Sequence, residues 1–106
     1  MIEKPMCALL AILFLAPAGA LAAGDIAAGE RKSQTCVHCH GAGGVSTNIR
    51  VPTLAGLPAG HFIEQMTRFR SGERRSTPMR DVTRRLSDED IADLAAYFES
   101  LGDFID

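Results

Sequence analysis

The spacing of apolar residues predicts a chain that is mostly helical. Phe62, Met66 and Phe69 recur at positions i, i+4 and i+7, which places their side chains on one face of a helix. Pro58 favours a helix start at about this position, and Gly72 favours the end of the same helix. We therefore expect a helix from about residue 58 to residue 71 whose apolar face, including Met66, belongs to the core.

The clearest helix is predicted near the end of the chain. Its apolar stripe is formed by Ile91, Leu94, Ala95, Phe98 and Leu101. Ser87 and Asp90 fit a capping box at the start of this helix, and Gly102 favours its end. A shorter first helix is expected to be capped by Asp25, whereas residues 71–80 are expected to be irregular. No strand pattern and no internal repeat is found in the sequence.

Two cysteines and a histidine share one short segment, Cys36-Val37-His38-Cys39-His40. At positions i, i+3 and i+4 of a helical turn, both sulfurs and the imidazole of His40 point the same way. C-x-x-C-H is the attachment signature of a c-type haem, in which two thioethers fix the porphyrin and the histidine reaches the iron. A haem attached in this way most often transfers electrons.

Two other kinds of site use cysteines at this spacing. A structural zinc site needs four ligands. If residues 1–23, a predicted signal peptide that includes Cys7, are removed, only His38 and His61 remain as additional soft donors. A redox-active dithiol of the thioredoxin type is expected near a βαβ pattern, which this sequence does not show. Haem attachment is therefore the favoured interpretation.

Residues 1–23 fit a cleaved secretory signal peptide. Lys4 precedes an apolar run from Met6 to Leu15, and the small residues 18–23 fit a cleavage site. The run is shorter than a stable membrane-spanning helix, although an uncleaved anchor is the alternative. We expect export to the periplasm, loss of Cys7 with the leader, and a mature domain of residues 24–106 without a membrane span.

Charge is distributed unevenly along a chain whose formal net charge is only −2. Between residues 68 and 85 there are seven arginines, at positions 68, 70, 74, 75, 80, 84 and 85, with two acids among them. From Asp88 to Asp106 there are seven acids and no base. This asymmetry favours a surface that docks a protein partner in one orientation. It argues against nucleic-acid binding, for which the whole domain should be basic. Two solvated faces that keep the protein soluble are the alternative.

Four segments in order carry a resemblance to a known family: residues 36–40, residues 51–56 (Val-Pro-Thr-Leu-Ala-Gly), residues 69–72 and residues 86–98. Together they resemble the class I c-type cytochromes of the small bacterial monohaem type. The resemblance implies an all-α fold of about four short helices wrapped around one covalently bound haem c. Residues 41–46 and 76–79 are most similar to the cytochrome subunit of flavocytochrome c sulfide dehydrogenase.

The resemblance also implies roles for individual residues. Cys36 and Cys39 would bind the haem covalently. His40 would be the proximal iron ligand, and Met79, in a loop between helices, the distal one. Pro52 would pack on the haem and offer its carbonyl to the ring N–H of His40.

Further expectations concern residues around these ligands. His61 is the alternative sixth ligand, which would give a bis-histidine haem. Gly29 and Tyr97 are expected at a close crossing of the first and last helices. Some of the seven arginines are expected to pair with the haem propionates, although the spacing does not identify which.

Three functions of different classes follow from these features. The favoured one is the electron-accepting haem subunit of an FAD-containing flavoprotein that oxidises sulfide, with other cytochromes as electron acceptors. The chain shows no dinucleotide-binding motif, so it would have no catalytic site of its own, and the oxidation would occur on the partner. The alternatives are a free soluble electron carrier and a haem enzyme or gas sensor with an open distal site, against which Met79 argues.

Overall fold

The computed structural model describes residues 24–102, which form five α-helices and one short 3₁₀ helix. The helices are α1 (Ile26–Lys32), α2 (Gln34–His40), α3 (Ala59–Ser71), α4 (Thr77–Thr83) and α5 (Asp88–Ser100), with the 3₁₀ helix at Ala42–Gly44. Residues 24–102 contain no strand, and none of their helices is long and apolar enough to cross a membrane. The all-α prediction is confirmed, whereas the predicted signal peptide, residues 1–23, lies outside the described residues.

The core lies where α3 and α5 face each other. Phe62, Met66 and Phe69 of α3 are buried, as their spacing predicts. The facing side of α5 is formed by the buried residues Ile91, Leu94, Ala95 and Phe98. The rings of Phe62 and Phe98 lie 5.6 Å apart between centroids in a tilted arrangement. Burial of these aromatic side chains supplies much of the stabilisation available to a domain of this size.

The first and last helices cross so closely that only glycine fits at the contact. A Cβ atom on Gly29 would collide with the carbonyl oxygen of Asp93 and would lie 2.7 Å from Cβ of Tyr97. The predicted crossing at Gly29 and Tyr97 is therefore confirmed. Gly24 makes a similar approach to the backbone of Ala92.

The helix ends agree with the sequence in part. The capping box of Ser87 and Asp90 is present, and Gly72 ends α3 in the left-handed conformation at φ 89°. Helix α3 begins at Ala59, with Pro58 as the residue before its first turn. Helix α5 ends at Ser100, two residues before the predicted Gly102.

Asp25 does not cap α1 with its side chain, contrary to the prediction. It occupies the N-cap position, but its side chain makes no capping hydrogen bond. Its backbone N–H instead donates to Oδ1 of Asp93 at 2.8 Å, and Nζ of Lys32 binds Oδ2 of the same carboxylate at 2.7 Å. The start of α1 is therefore tied to α5 by a carboxylate that is distant in sequence.

The prediction of an irregular segment over residues 71–80 was right for residues 72–76 and wrong for residues 77–80. Residues Thr77–Thr83 form helix α4, so residues 24–102 contain five α-helices where about four were expected. The side chain of Ser76 caps this helix by accepting from the N–H of Met79, and Pro78 lies in its first turn. Proline is compatible with the first turn because its missing N–H would have no partner there. Met79 therefore lies on a helix and not in a loop.

Candidate functional site

A cavity of about 540 Å³ opens between α2, α3 and α4. Its size is within the ~300–1,000 Å³ that is typical of small-molecule and cofactor sites. All five predicted site residues line it: Cys36, Cys39, His40, Pro52 and Met79. Core side chains of α3 and α5, Phe62, Met66, Phe69 and Leu94, form part of the same wall. The cavity is therefore an apolar site with a few polar groups at its surface.

The two cysteines are presented by α2. Cys36 is half-buried and packs against the core, Cys39 is exposed, and neither forms a disulfide. Burial raises the pKa of the Cys36 thiol, and a hydrogen bond with Thr35 opposes this effect in part. Both thiols lie at the cavity wall, one turn of helix apart.

His40, the last residue of α2, is buried and has a defined partner. Its Nδ1 lies 2.7 Å from the carbonyl oxygen of Pro52. Since a proline carbonyl can only accept, Nδ1 must carry the hydrogen. In the neutral imidazole this leaves the lone pair on Nε2 for a metal ion, the arrangement usual for metal-binding histidines.

Met79 approaches the same cavity from α4. It is half-buried, packs against the core and lines the cavity. Its N–H donates to Oγ of Ser76 at 3.4 Å, and its carbonyl accepts from Oγ1 of Thr83 at 2.7 Å. The helix therefore fixes the backbone from which the thioether extends.

Two further side chains with atoms that can bind iron line the cavity, Met66 and His61. Met66 belongs to the core cluster and is buried, which confirms its predicted structural role. His61 is exposed at the start of α3 and also lines the cavity. His61 thus remains the alternative to Met79 as sixth ligand.

Arginines supply the charge around the cavity. Among the described residues that line it, Arg50, Arg74 and Arg75 are cationic and none is Asp or Glu. The guanidinium of Arg74 lies 4.5 Å from the ring centroid of Phe69, and its Nη1 donates to Oε1 of Gln65 at 2.8 Å. Sequence reasoning missed Arg50, although its position two residues before Pro52 is a signal that could have identified it.

The other arginines of the basic stretch are directed elsewhere. Arg68 pairs with Glu64 and with Glu73, and Arg70 pairs with Asp88. Arg80, Arg84 and Arg85 are exposed and form no ion pair with the residues that the structure describes.

The donor set of the cavity fits a haem c. The group is a flat apolar body with two anionic propionates, and the cavity offers apolar walls, two thiols, an imidazole and a thioether, with three guanidinium groups at its surface. When bound, haem supplies a one-electron iron couple. The protein's part is to bind the group, to orient it and to exclude water from it.

Comparison with known proteins identifies the family. Residues 24–98 match the family described as cytochrome C oxidase, cbb3-type, subunit III. The chain is 44% identical over 79 residues to cytochrome c4 of Pseudomonas aeruginosa, covering 74% of this chain and 39% of that protein. It is 43% identical over 81 residues to cytochrome c-554(548) of Halomonas halodenitrificans, covering 74% of this chain and 98% of that protein. It is 35% identical over 76 residues to the thiosulfate dehydrogenase electron acceptor of Stutzerimonas stutzeri, covering 69% of this chain and 35% of that protein.

Solved structures show the same fold. The thiosulfate dehydrogenase (TsdBA) of Marichromatium purpuratum matches 73% of this chain and 19% of its own, with a TM-score of 0.69 and 33% identity. Cytochrome c4 of Acidithiobacillus ferrooxidans matches 74% of this chain and 51% of its own, with a TM-score of 0.64 and 30% identity.

The chain spans less than half of the Pseudomonas cytochrome c4 but nearly all of cytochrome c-554(548). The size of the domain is consistent with one haem. The chain therefore belongs to the family of cytochrome c oxidase, cbb3-type, subunit III, a c-type cytochrome family with covalently bound haem c.

Proposed function

We propose that this domain is a periplasmic monohaem cytochrome that accepts single electrons from an oxidoreductase and passes them to another cytochrome. The observation that carries the proposal is that His40 and Met79, from two different helices, line one cavity with both cysteines. In the proposed site Cys36 and Cys39 bind the haem covalently and His40 is the proximal ligand. Met79 is the distal ligand.

A closed iron site favours electron transfer over catalysis. If Met79 occupies the sixth position, a substrate or gas has no free coordination site on the iron. Thioether ligation also favours ferrous iron and raises the reduction potential relative to bis-histidine ligation. This supports an electron carrier over a haem enzyme or a gas sensor.

The relatives support an electron donor that oxidises a sulfur compound. One is named a thiosulfate dehydrogenase electron acceptor, and one similar solved structure is a thiosulfate dehydrogenase. None of the relatives described above is named as a flavocytochrome, so the FAD-containing sulfide dehydrogenase suggested by residues 41–46 and 76–79 has less support. We therefore favour a thiosulfate-oxidising enzyme as the donor.

The basic surface suggests how such an enzyme would dock. Arg80, Arg84 and Arg85 are exposed on or just after α4, the helix that carries Met79. A positive surface beside the cavity attracts a negatively charged partner and speeds its association, with an effect that salt screens. Electrons would then enter or leave near the edge of the cavity at α4.

Stopped-flow reduction of the ferric holoprotein tests the proposal. Thiosulfate dehydrogenase with thiosulfate and a flavoprotein sulfide dehydrogenase with sulfide are compared as donors over a range of ionic strength. We expect rapid reduction by the first enzyme, with a rate constant that falls as salt rises. Arg84→Gln should slow reduction roughly twofold at low salt, whereas Arg31→Gln, an exposed arginine of α1, should have little effect.

Two results would contradict parts of the proposal. A rate constant that is independent of salt would exclude docking through the arginine surface. Faster reduction by the flavoprotein than by thiosulfate dehydrogenase would assign the donor to the sulfide-oxidising class instead.

A further inference from the structure

The segment that carries Met79 has few buried side chains to anchor it. This Met79 segment, residues 72–87, connects α3 to α5 and contains one helix, α4. Of the seven residues of α4 only Thr83 is buried, while Met79 and Val82 are half-buried. Elements with little buried apolar surface open more readily than core helices. The position of α4, and with it that of Met79, therefore depends more on polar contacts than the positions of α3 and α5 do.

Contacts inside α4 fix Met79 within its helix. Thr83, which is fully buried, donates through Oγ1 to the carbonyl of Met79, and Ser76 accepts from its N–H. These bonds hold the methionine backbone in α4 but do not attach α4 to the rest of the domain. Attachment depends on the packing of Met79 and Leu86 against the core and on polar contacts at the ends of the Met79 segment.

Arg70, in the last turn of α3, reaches across to the far end of this segment. Its Nη1 donates to the carbonyl oxygen of Leu86 at 3.1 Å, and its Nη2 binds Oδ1 of Asp88 at 2.7 Å. The arginine side chain is 29% exposed and its bond to Leu86 is partly buried, whereas the carboxylate of Asp88 is 91% exposed. Two donors on one planar guanidinium fix direction as well as distance. One side chain of α3 thus holds the end of the segment and the start of α5.

We propose that Arg70 is a positioning residue that keeps Met79 in the cavity by latching the end of the Met79 segment to α3. The inference rests on the proposed role of Met79 as distal ligand. Arg70 does not line the cavity, so it acts through the segment and not by contact with haem. Loss of the latch increases the fraction of molecules in which Met79 has left the iron.

Arg68 provides a matched control on the same helix. It lies two residues before Arg70, does not line the cavity and also forms ion pairs. Its partners are Glu64 of α3 and Glu73, just after the end of α3, and neither belongs to the far end of the segment. Arg70→Gln and Arg68→Gln therefore remove the same charge, but only the first removes the latch.

Imidazole binding to the ferric holoprotein measures how often the sixth position is open. Apparent affinity is proportional to the fraction of molecules in the binding-competent state. We expect Arg70→Gln to bind imidazole about tenfold more tightly than the wild type, since it loses two hydrogen bonds that the charged guanidinium donates. The imidazole affinity of Arg68→Gln should remain within about twofold of the wild-type value. Arg70→Lys keeps the charge but not the planar guanidinium with its two donors, so its affinity should be intermediate.

A second variant keeps the test informative if Arg70→Gln fails to fold. Asp88→Asn removes the charged partner at a side chain that is 91% exposed, and it should tighten imidazole binding in the same direction by a smaller factor. If the wild type shows the far-red absorption band of methionine ligation but Arg70→Gln and Arg68→Gln bind imidazole with equal affinity, the proposed role of Arg70 is wrong. The proposed electron-transfer function is not affected by that result. Absence of that band in the wild type would contradict the ligation by Met79 itself, and the latch with it.

Discussion

The carbonyl oxygen of Pro52 accepts a hydrogen bond from Nδ1 of His40 at 2.7 Å, across twelve residues of sequence. This contact joins the end of α2 to the loop that precedes α3 and sets the tautomer of the imidazole. A hydrogen bond at the ring N–H makes the opposite nitrogen a stronger donor, which would stabilise ferric iron bound by His40.

Loosening this hydrogen bond should raise the reduction potential. Pro52→Gly keeps the carbonyl but frees its backbone, so that the bond to His40 weakens. We expect a rise of up to about 40 mV, the equivalent of ~1 kcal/mol in a one-electron couple. Pro58→Gly is the control, because Pro58 is also exposed and does not line the cavity. Equal potentials in the two variants, measured by redox titration, would contradict this role for Pro52.

Arg74 should stabilise the reduced protein through its charge at the cavity. Its guanidinium is held over Phe69 and by Gln65, so its charge stays close to the site where propionates are expected. Arg74→Gln should lower the potential by an amount on the order of 40 mV. This corresponds to about 1 kcal/mol, the interaction of two unit charges about 15 Å apart at an effective dielectric constant of about 20. Arg84→Gln removes the same charge from a residue that does not line the cavity and should change the potential much less. Equal shifts in both variants would exclude a local role for Arg74.

The crossing of α1 and α5 should be intolerant of a single methyl group. Gly29→Ala introduces a Cβ that collides with the backbone of Asp93, so we expect destabilisation by about 1–3 kcal/mol or more. Gly60→Ala is the matched control, since a Cβ there has no atom within 4 Å and the residue lies within α3. It should be neutral or stabilise the domain by about 0.5–1 kcal/mol. Denaturant unfolding of the two holoproteins measures both values.

Acid should weaken the contact between α1 and α5. The hydrogen bond from the backbone N–H of Asp25 and, to a smaller extent, that from Lys32 lower the pKa of Asp93 below its usual 3.8. Because the folded pKa is the lower one, this contribution to stability is fully present above the unfolded value and disappears as the pH falls through the folded value. The free energy of unfolding of the wild type should therefore fall below about pH 4.

The Asp93→Asn variant should lose the part of this acid dependence that is due to Asp93, while Asp90, whose pKa Lys32 also lowers, retains its own part. Glu89→Gln removes an exposed carboxylate of the same helix that forms no ion pair with the described residues, and its profile should follow the wild type. Identical pH profiles for Asp93→Asn and the wild type would show that the lowered pKa of Asp93 does not govern acid stability.

Local spacing predicted much of the fold because its determinants are close in sequence. The stripes that include Phe62 and Phe98 follow helical periodicity, and the capping box of Ser87 and Asp90 is complete within four residues. The expectation that residues 71–80, which include Gly72 and Pro78, are irregular misses helix α4. In the structure Gly72 ends one helix and Pro78, after the cap Ser76, lies in the first turn of the next.

Long-range contacts were less accessible from the sequence. The motif alone places Cys36, Cys39 and His40 on one helical turn, but the hydrogen bond to Pro52 depends on how the loop folds back. The arginines that line the cavity could not be identified from spacing, because Arg50, Arg74 and Arg75 lie between helices, where no periodicity sets the direction of a side chain. The structure brings the five predicted site residues to one cavity, while their bonds to haem and iron remain predictions.

The ferric absorption spectrum tests the central proposal, a haem closed by His40 and Met79, most directly. Methionine ligation produces a weak charge-transfer band in the far red, and we expect this band in the wild-type holoprotein and its loss in Met79→Ala. His61→Ala, which alters the other candidate ligand at the cavity, should keep the band. A wild-type spectrum without the band, or a band that persists in Met79→Ala, would contradict the account.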